Sequence, residues 1–385
     1  MPLIWPRPTS IFVPPTTLDH FLTSPLKFLI YHLHQLLLYL RGPAYKPSAN
    51  PQRPPLRIVC LSDTHSKIPK QPIPDGDILI HAGDLAGTGT AAEIQAQIDW
   101  LNSLPHAEKI VVGGNHDSFL DPESRLPEDG GEGAAATPLV NGDSPASSTR
   151  QRRQKTQSTP TLNWGPIHYL EGRSITLALA SHANRRINIY GAPQIPRCGP
   201  SDFAFQYDED SEDEWTDTVP EETDVLVTHT PPRFHRDLPA GLGCASLLNE
   251  IWRVRPTLHV CGHIHSAHGR EDLWWDNGQR AYERVCARRR KRRVLTPAEP
   301  ESGKKQMLLL RWAAAMTEVA RAFLIDAFDV ASWLDGIRVV WYGVKGFLWS
   351  RVWQGANTSG SILINASLTY QNTQVLGNPV QIVDI

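Results

Sequence analysis

The chain has 385 residues with 38 Lys and Arg against 40 Asp and Glu, a formal net charge of −2, and this balance excludes a global electrostatic pull toward nucleic acid. The length admits one large decorated core or two small domains, and one domain with inserts fits better. Its five cysteines show neither C-x-x-C spacing nor a disulfide-dense pattern; that argues against a disulfide scaffold and makes a reducing, intracellular, cytoplasmic setting the expectation.

Residues 1–55 read as an N-terminal extension. Within it Phe28 to Leu40 is strongly apolar, but it is too short to span a bilayer and contains His32, His34 and Gln35. The proline-rich start lacks a basic segment before an early apolar stretch, which argues against a secretory signal.

Short apolar, β-branched runs follow: Ile58 to Leu61, Ile78 to Ile80, Ile110 to Val112, Val225 to Val227 and Leu258 to Val260. Runs of this length with small or polar residues behind them predict buried strands ending in loops. Helices are expected over Ala91 to Ser103 and Cys244 to Val254, and two late strands, Ser361 to Asn365 and Pro379 to Val383, are expected to complete a sheet. The loops behind the early strands carry Asp63-Thr64-His65, Gly83-Asp84, Gly114-Asn115-His116-Asp117, His229 and Gly262-His263-Ile264-His265. Loops at the ends of parallel strands converge on one sheet edge, so these residues can share one site for two metal ions.

Asp84, on a glycine turn right after a strand, is placed to bridge such a pair. Asp63, His65 and His265 are the expected further ligands of one ion, and Asn115, His229 and His263 those of the other. Nitrogen and oxygen donors without thiolate suit manganese, iron, zinc or nickel. His116 is the expected general acid, with Asp117 accepting its other ring N–H. Of the other histidines, His81 and His259 fall in strands and read as core residues. His106, His168, His182, His235 and His268 read as surface or loop groups, with His235 the best placed of them for substrate contact.

Pro122 to Pro160 is rich in Gly, Ala, Ser, Thr and Pro and reads as a disordered insert. Asp208 to Asp224 is acidic without a basic residue and reads as a solvated loop. A second insert near 270–358 begins with the basic run Arg288 to Arg293, which fits a solvated linker, a nuclear signal, an anionic-lipid contact or a contact to the acidic loop. It continues into Met307 to Trp353, loaded with Trp312, Trp333, Trp341, Trp349 and Trp353. The spacing of Trp312, Met316, Val319 and Phe323 predicts an amphipathic helix, either packed on the core or, with residues 28–40, seated peripherally on a membrane. The glycosylation patterns at Asn357 and Asn365 are taken as chance, the second lying in an expected buried strand.

The order D-x-H, G-D, G-N-H-D, H and G-H-x-H resembles that of the calcineurin-like metallophosphoesterases. Leu61 to Ser66, Gly76 to Asp84, Asp99 to Asn102, Tyr190 to Pro193, Thr228 to Pro232 and Ile364 to Ser367 look like the branch of metallophosphoesterase-domain-containing proteins. The resemblance covers roughly residues 57 to 121, 162 to 268 and 360 to 385. It implies an α/β fold, a four-layer αββα sandwich of two mixed sheets flanked by helices. It also implies a hydrolase of phosphate esters, most of all small phosphodiesters including cyclic nucleotides, acting by attack of a hydroxide bridging two metal ions. A phosphoprotein phosphatase and a metal-binding scaffold are the alternatives. His263 stands where some animal members of the branch carry glycine, which favours full metal loading. Thr230 stands where close relatives carry glycine, which narrows the pocket but removes no ligand.

Overall fold

A computed structural model describes residues 14, 16–47, 54–126, 129, 160–208, 211, 213–294, 308–353, 360–371 and 373–385. Most of the insert expected over Pro122 to Pro160 lies outside those residues. So do Asn357 and the side chains of Arg289 to Arg293, Trp312 and Met316.

Helices α1 (Thr17–Thr23) and α2 (Pro25–Arg41) precede the first strands, β1 (Arg57–Leu61) and β2 (Ile78–Ala82). Then come α3 (Ala91–Ser103), β3 (Glu108–Val112), β4 (His168–Tyr169), β5 (Arg173–Leu179), β6 (Arg185–Ala192), β7 (Ile195–Pro196) and β8 (Gln206–Tyr207). The second half contains β9 (Val225–Thr228), α4 (Ala245–Val254), β10 (Leu258–Cys261) and β11 (Gly269–Trp274). Helices α5 (Asn277–Val294), α6 (Leu308–Ala327) and α7 (Val330–Arg351) separate these from β12 (Gly360–Asn365) and β13 (Gln381–Asp384).

Two mixed sheets form the body. One is 5-stranded in the order β13-β1-β2-β3-β4, the other 6-stranded in the order β11-β12-β10-β9-β6-β5. The central strands are parallel, and antiparallel pairs lie only toward the edges. The central strands are apolar on both faces because each face meets a different layer. In β1, Ile58 and Cys60 join Val225, Val227, Leu258 and Val260 between the sheets, whereas Val59 and Leu61 face outward onto Ile94, Ile98 and Leu101 of α3. On the other sheet Leu226 and Leu363 face outward onto Leu247 and Ile251 of α4. The period-two alternation of the strands thus builds helix, sheet, sheet and helix as four layers.

The expected strands and helices α3 and α4 are present, with differences. The late strands enter different sheets: β12 pairs with β10 and β13 with β1. The helical insertion begins at Asn277 rather than near 270, because Gly269–Trp274 pairs with β12. The acidic run is not simply a solvated loop. Trp215 is fully buried in its middle, its backbone N–H donates to Ser246 of α4 at 3.0 Å, and Arg253 pairs with Asp217 and Glu221 at 3.3 and 3.4 Å. A buried indole outweighs the repulsion of exposed carboxylates. The five cysteines are free, with Cys198 exposed and the others buried.

The N-terminal extension packs on the insertion. Leu26 and Ile30 of α2 bury against Ala281, Tyr282 and Val285 of α5 and Val339 of α7, and the His34 ring stacks on Tyr282 at 4.4 Å and 11°. Asp335 of α7 is buried beneath Arg284 at 2.8 Å, Arg338 at 2.7 Å and Arg288. A second buried ionic group ties the insertion to the sheet. His235 is fully buried, with Nδ1 2.8 Å from Glu271 of β11 and Nε2 3.0 Å from Glu283 of α5, while the Trp252 indole donates to Glu283 at 2.9 Å.

This ionic group predicts a stability effect. His235→Leu leaves two carboxylates facing each other in the interior and should cost about 3 kcal/mol in denaturant unfolding. Burial opposes the charge on His235, but Glu271 and then Glu283 raise its pKa well above the ordinary 6.5. The folded value exceeds the unfolded one, so the stabilisation is complete below pH 6.5 and is lost as pH rises through the folded value. The gap between wild type and variant should accordingly shrink at alkaline pH.

Candidate functional site

The expected site residues lie on loops leaving β1, β2, β3, β9 and β10. The first three strands are parallel neighbours in one sheet and the last two in the other, so their ends open toward one common edge. Turning a side chain into that edge takes a sharp reversal. Asp63, His65, Asp84 and His263 adopt φ of 54°, 46°, 55° and 64°, a left-handed backbone that costs a residue with a Cβ on the order of 1 kcal/mol. Gly83, at φ 96°, leaves the space for this reversal, since a Cβ there would meet His229 Nδ1 at 2.5 Å and Gly113 O at 2.6 Å.

The reversals bring two groups together. Donor atoms of Asp63, His65, Asp84 and His265 lie within 4.8 Å of one another, as do those of Asp84, His229 and His263. Asp84 belongs to both, with Oδ2 3.8 Å from His65 Nε2 and Oδ1 3.3 Å from His229 Nε2. Asn115 joins the second group through Oδ1, 3.0 Å from His229 Nε2. All the expected ligand residues therefore meet at one place.

The histidines are oriented from behind. Nδ1 of His229, His265 and His65 lies 2.8, 2.9 and 3.3 Å from the carbonyl oxygens of Ala82, Gln371 and Ala86. A carbonyl only accepts, so each shared proton is on Nδ1, and in the neutral ring Nε2 is an inward lone pair. His65 and His265 then oppose their Nε2 atoms at 3.3 Å, and His265 Nε2 is 3.2 Å from Asp63 Oδ1. Lone pairs and carboxylate oxygens this close repel unless a proton or cation lies among them. The mixed nitrogen and oxygen donor set fits a transition-metal cation.

The electrostatics express the same demand for positive charge. Burial would push the Asp84 carboxyl up, but His229 holds it well below the usual carboxylate range. Asp63 is likewise held low against burial by His265. Burial opposes charge on His229, yet Asp84 raises it to about 9. His263 moves the other way, lowered to about 3 by burial and by His229.

His116 sits on the rim, its backbone N–H donating to Asp84 Oδ1 at 2.8 Å and its Nδ1 3.3 Å from Gly87 O. The turn holding that carbonyl is fixed by Glu93 of α3, which accepts from the N–H groups of Gly87 and Thr88 at 3.2 and 2.8 Å. Asp117 does not take the expected position behind the His116 ring. Its buried carboxylate accepts from the backbone N–H groups of Ala86, Gly114 and Leu85 at 2.8, 2.9 and 3.2 Å, tying the β2 loop to the β3 loop. Burial and the nearby Asp84 push this carboxyl up to about 7.

Several contributors were not among the expected residues. Asn365 of β12 donates to the carbonyls of Gly262 and Ile264 at 3.2 and 3.0 Å, holding the G-H-x-H turn from beneath. It is fully buried, so its glycosylation pattern is internal. Thr369 donates to Asp63 O at 2.7 Å. The Phe203 ring lies 4.8 Å from that of His116 and gives the rim an apolar wall. Neither the Asn365 nor the Phe203 contact has a sequence spacing that would reveal it, because each depends on a distant loop. His235 lies in the ionic group with Glu271 and Glu283 and is not a substrate contact; His106 is also buried, its Nε2 donating to Pro74 O at 2.9 Å. His81 and His259 are core residues as expected, each against a threonine hydroxyl, at 3.1 and 2.8 Å. Thr230 is fully buried.

Two substitutions test this support. A Cβ on Gly262 would meet Ser62 Oγ at 2.0 Å and Asp63 Oδ2 at 2.3 Å, so Gly262→Ala should displace Asp63 and weaken divalent-metal binding, read by calorimetry, on the order of tenfold or more. Asp117→Ala removes the acceptor of buried N–H groups and should lower unfolding free energy by about 2 kcal/mol or more.

Comparison with known proteins agrees with this arrangement. The family model described as calcineurin-like phosphoesterase matches residues 56–267. Among curated proteins, Probable rhamnogalacturonate lyase C of Emericella nidulans is 41% identical over 232 residues, spanning 60% of this chain and 19% of that protein. Metallophosphoesterase domain-containing protein 1 of Homo sapiens is 34% identical over 220 residues, 55% of this chain and 61% of that one. A UPF0046 protein of Caenorhabditis elegans is 36% identical over 224 residues, 56% and 70% of the respective chains. The matched part is less than two thirds of the first two relatives' length, and the lyase name belongs to a protein of which only about a fifth is shared. With its family match covering more than half of the sequence, the chain belongs to the calcineurin-like phosphoesterase family.

Proposed function

We propose that the chain is a binuclear metallophosphoesterase acting on small phosphodiesters, built as one catalytic unit over residues 56–385 that carries the N-terminal extension and the helical insertion. The observation that supports this reading most is the Asp84 carboxylate, shared between two donor groups with one oxygen toward each. Asp63, His65, Asp84 and His265 would hold one cation, and Asp84, Asn115, His229 and His263 the other. The donor set suits manganese, iron, zinc or nickel. When bound, such cations neutralise phosphoryl oxygens and acidify water enough to supply a nucleophile near neutral pH.

The remaining tasks fall to the chain itself. His116, with Nδ1 engaged by Gly87 O, keeps Nε2 to hold a proton and deliver it to the leaving oxygen. Its backbone N–H on Asp84 fixes that ring relative to the donor groups, the orientation a near-attack geometry needs. Phe203 beside His116 offers an apolar surface to the second ester substituent of a diester. A cytoplasmic setting is part of the same reading.

Hydrolysis of bis(p-nitrophenyl) phosphate by the purified, manganese-supplied protein tests it, with p-nitrophenyl phosphate as the monoester comparison. His116→Ala should retain metal while turnover falls on the order of 10²-fold or more. Asp84→Asn should lose metal and activity together. Full metal content in Asp84→Asn would sink the bridging assignment, and a metal-loaded wild type inactive on both esters would sink the hydrolase reading. Turnover of the monoester alone would overturn the diester preference.

A further inference from the structure

The insertion buries one side of α7 and leaves the other in solvent. Ser332, Asp335, Val339 and Gly346 are buried, and the glycines of this helix seat α2: a Cβ on Gly336 would meet Ile30 at 2.9 Å, and one on Gly343 would meet Leu37 at 2.6 Å. On the opposite side Val330, Leu334, Ile337, Trp341 and Val344 follow steps of three and four residues, the spacing of one helix face. They are 41% to 68% exposed. The stripe runs most of a helix about 33 Å long by its rise per residue. The neighbouring helix α2 also exposes Leu29, Leu36 and Leu40. An exposed apolar helix face of this extent marks an interaction site.

The charges indicate what the surface meets. Helix α2 carries Lys27 and no carboxylate, its Arg41 being turned inward onto Asp276 and Trp274, and α7 carries Arg338, Lys345 and Arg351 against Asp335 alone. Asp335 is buried under its arginines, so the outward charge is positive. Arg338 and Lys345, seven residues apart, line one flank of the apolar stripe. Two copies of this face would set like charges together, which disfavours self-association. An anionic lipid surface accepts the apolar stripe among its upper acyl chains and the basic flank at its headgroups, with Trp at the boundary between them. Among the described residues no helix is long and apolar enough to cross a membrane, so the contact lies in the plane of the surface.

We propose that the α7 and α2 face docks the protein on the headgroup region of an anionic lipid bilayer. The test is sedimentation of the full chain with vesicles of phosphatidylcholine alone or mixed with phosphatidylserine, alongside the I337Q/W341Q double variant and K345E. The wild type should pellet with the mixed vesicles and less with phosphatidylcholine alone, and its tryptophan emission should shift to the blue. The double variant should bind on the order of tenfold more weakly, with K345E losing part of the preference for anionic lipid. Unchanged thermal unfolding midpoints establish that both variants fold, and the emission shift of the wild type gives a reading independent of them. Wild type left in the supernatant with mixed vesicles and without an emission shift would overturn the proposal, as would a folded double variant that pellets like wild type. Lipid-free dimerisation abolished by the double variant, without vesicle binding, would assign the face to a second copy instead.

Discussion

The Asp84 carboxylate is 1% exposed and has an oxygen turned toward each of two histidine groups. An anion so deeply removed from water costs several kcal/mol unless opposite charge stands beside it. Much of the surrounding structure answers that cost. The His116 N–H donates to one oxygen, His229 and His65 approach from two sides, and Asp63 repeats the arrangement with His265 and the His263 N–H. The carbonyls behind the imidazoles aim Nε2 inward, so the fold itself orients the donor atoms of the cluster.

Rigid elements make that geometry affordable. Strands buried on both faces leave no freedom of register, since a one-residue slip would exchange the inter-sheet set with the helix-facing set. Left-handed backbone at Asp63, His65, Asp84 and His263 stores strain that the packed strands on either side hold in place. The chain returns late to reinforce the same edge. Asn365 and Thr369, from the C-terminal part, fasten the G-H-x-H turn and the Asp63 backbone, so the site edge is complete only when the C-terminal part has joined the sheets.

The helical insertion leaves the six-stranded sheet after β11 and returns at β12, yet it is bonded to the body through groups that tolerate one arrangement. His235 between Glu271 and Glu283 is satisfied only when α5 lies against β11, and Asp335 only when α5 and α7 bring its arginines around it. Apolar contacts alone would allow sliding; these buried charges do not. The insertion therefore holds its outer, tryptophan-bearing side in a fixed relation to the sheets.

Motif order and strand-like runs by themselves determined the candidate donor residues, their placement behind strands and the core nature of His81 and His259. These are local properties: side-chain chemistry and hydrophobic period are written in adjacent residues. The four-layer arrangement entered through resemblance, since periodicity distinguishes a buried strand from an exposed one but does not pair sheets. Tertiary structure decided what depends on distant partners. It placed His235 in a buried ionic group rather than near substrate, gave Asp117 to backbone N–H groups rather than to His116, and folded the acidic run around Trp215. It also sent the last two strands to different sheets. A side chain's chemistry can be read from its identity, but the partner that uses its hydrogen bonds or charge is supplied by whichever segment the fold brings alongside.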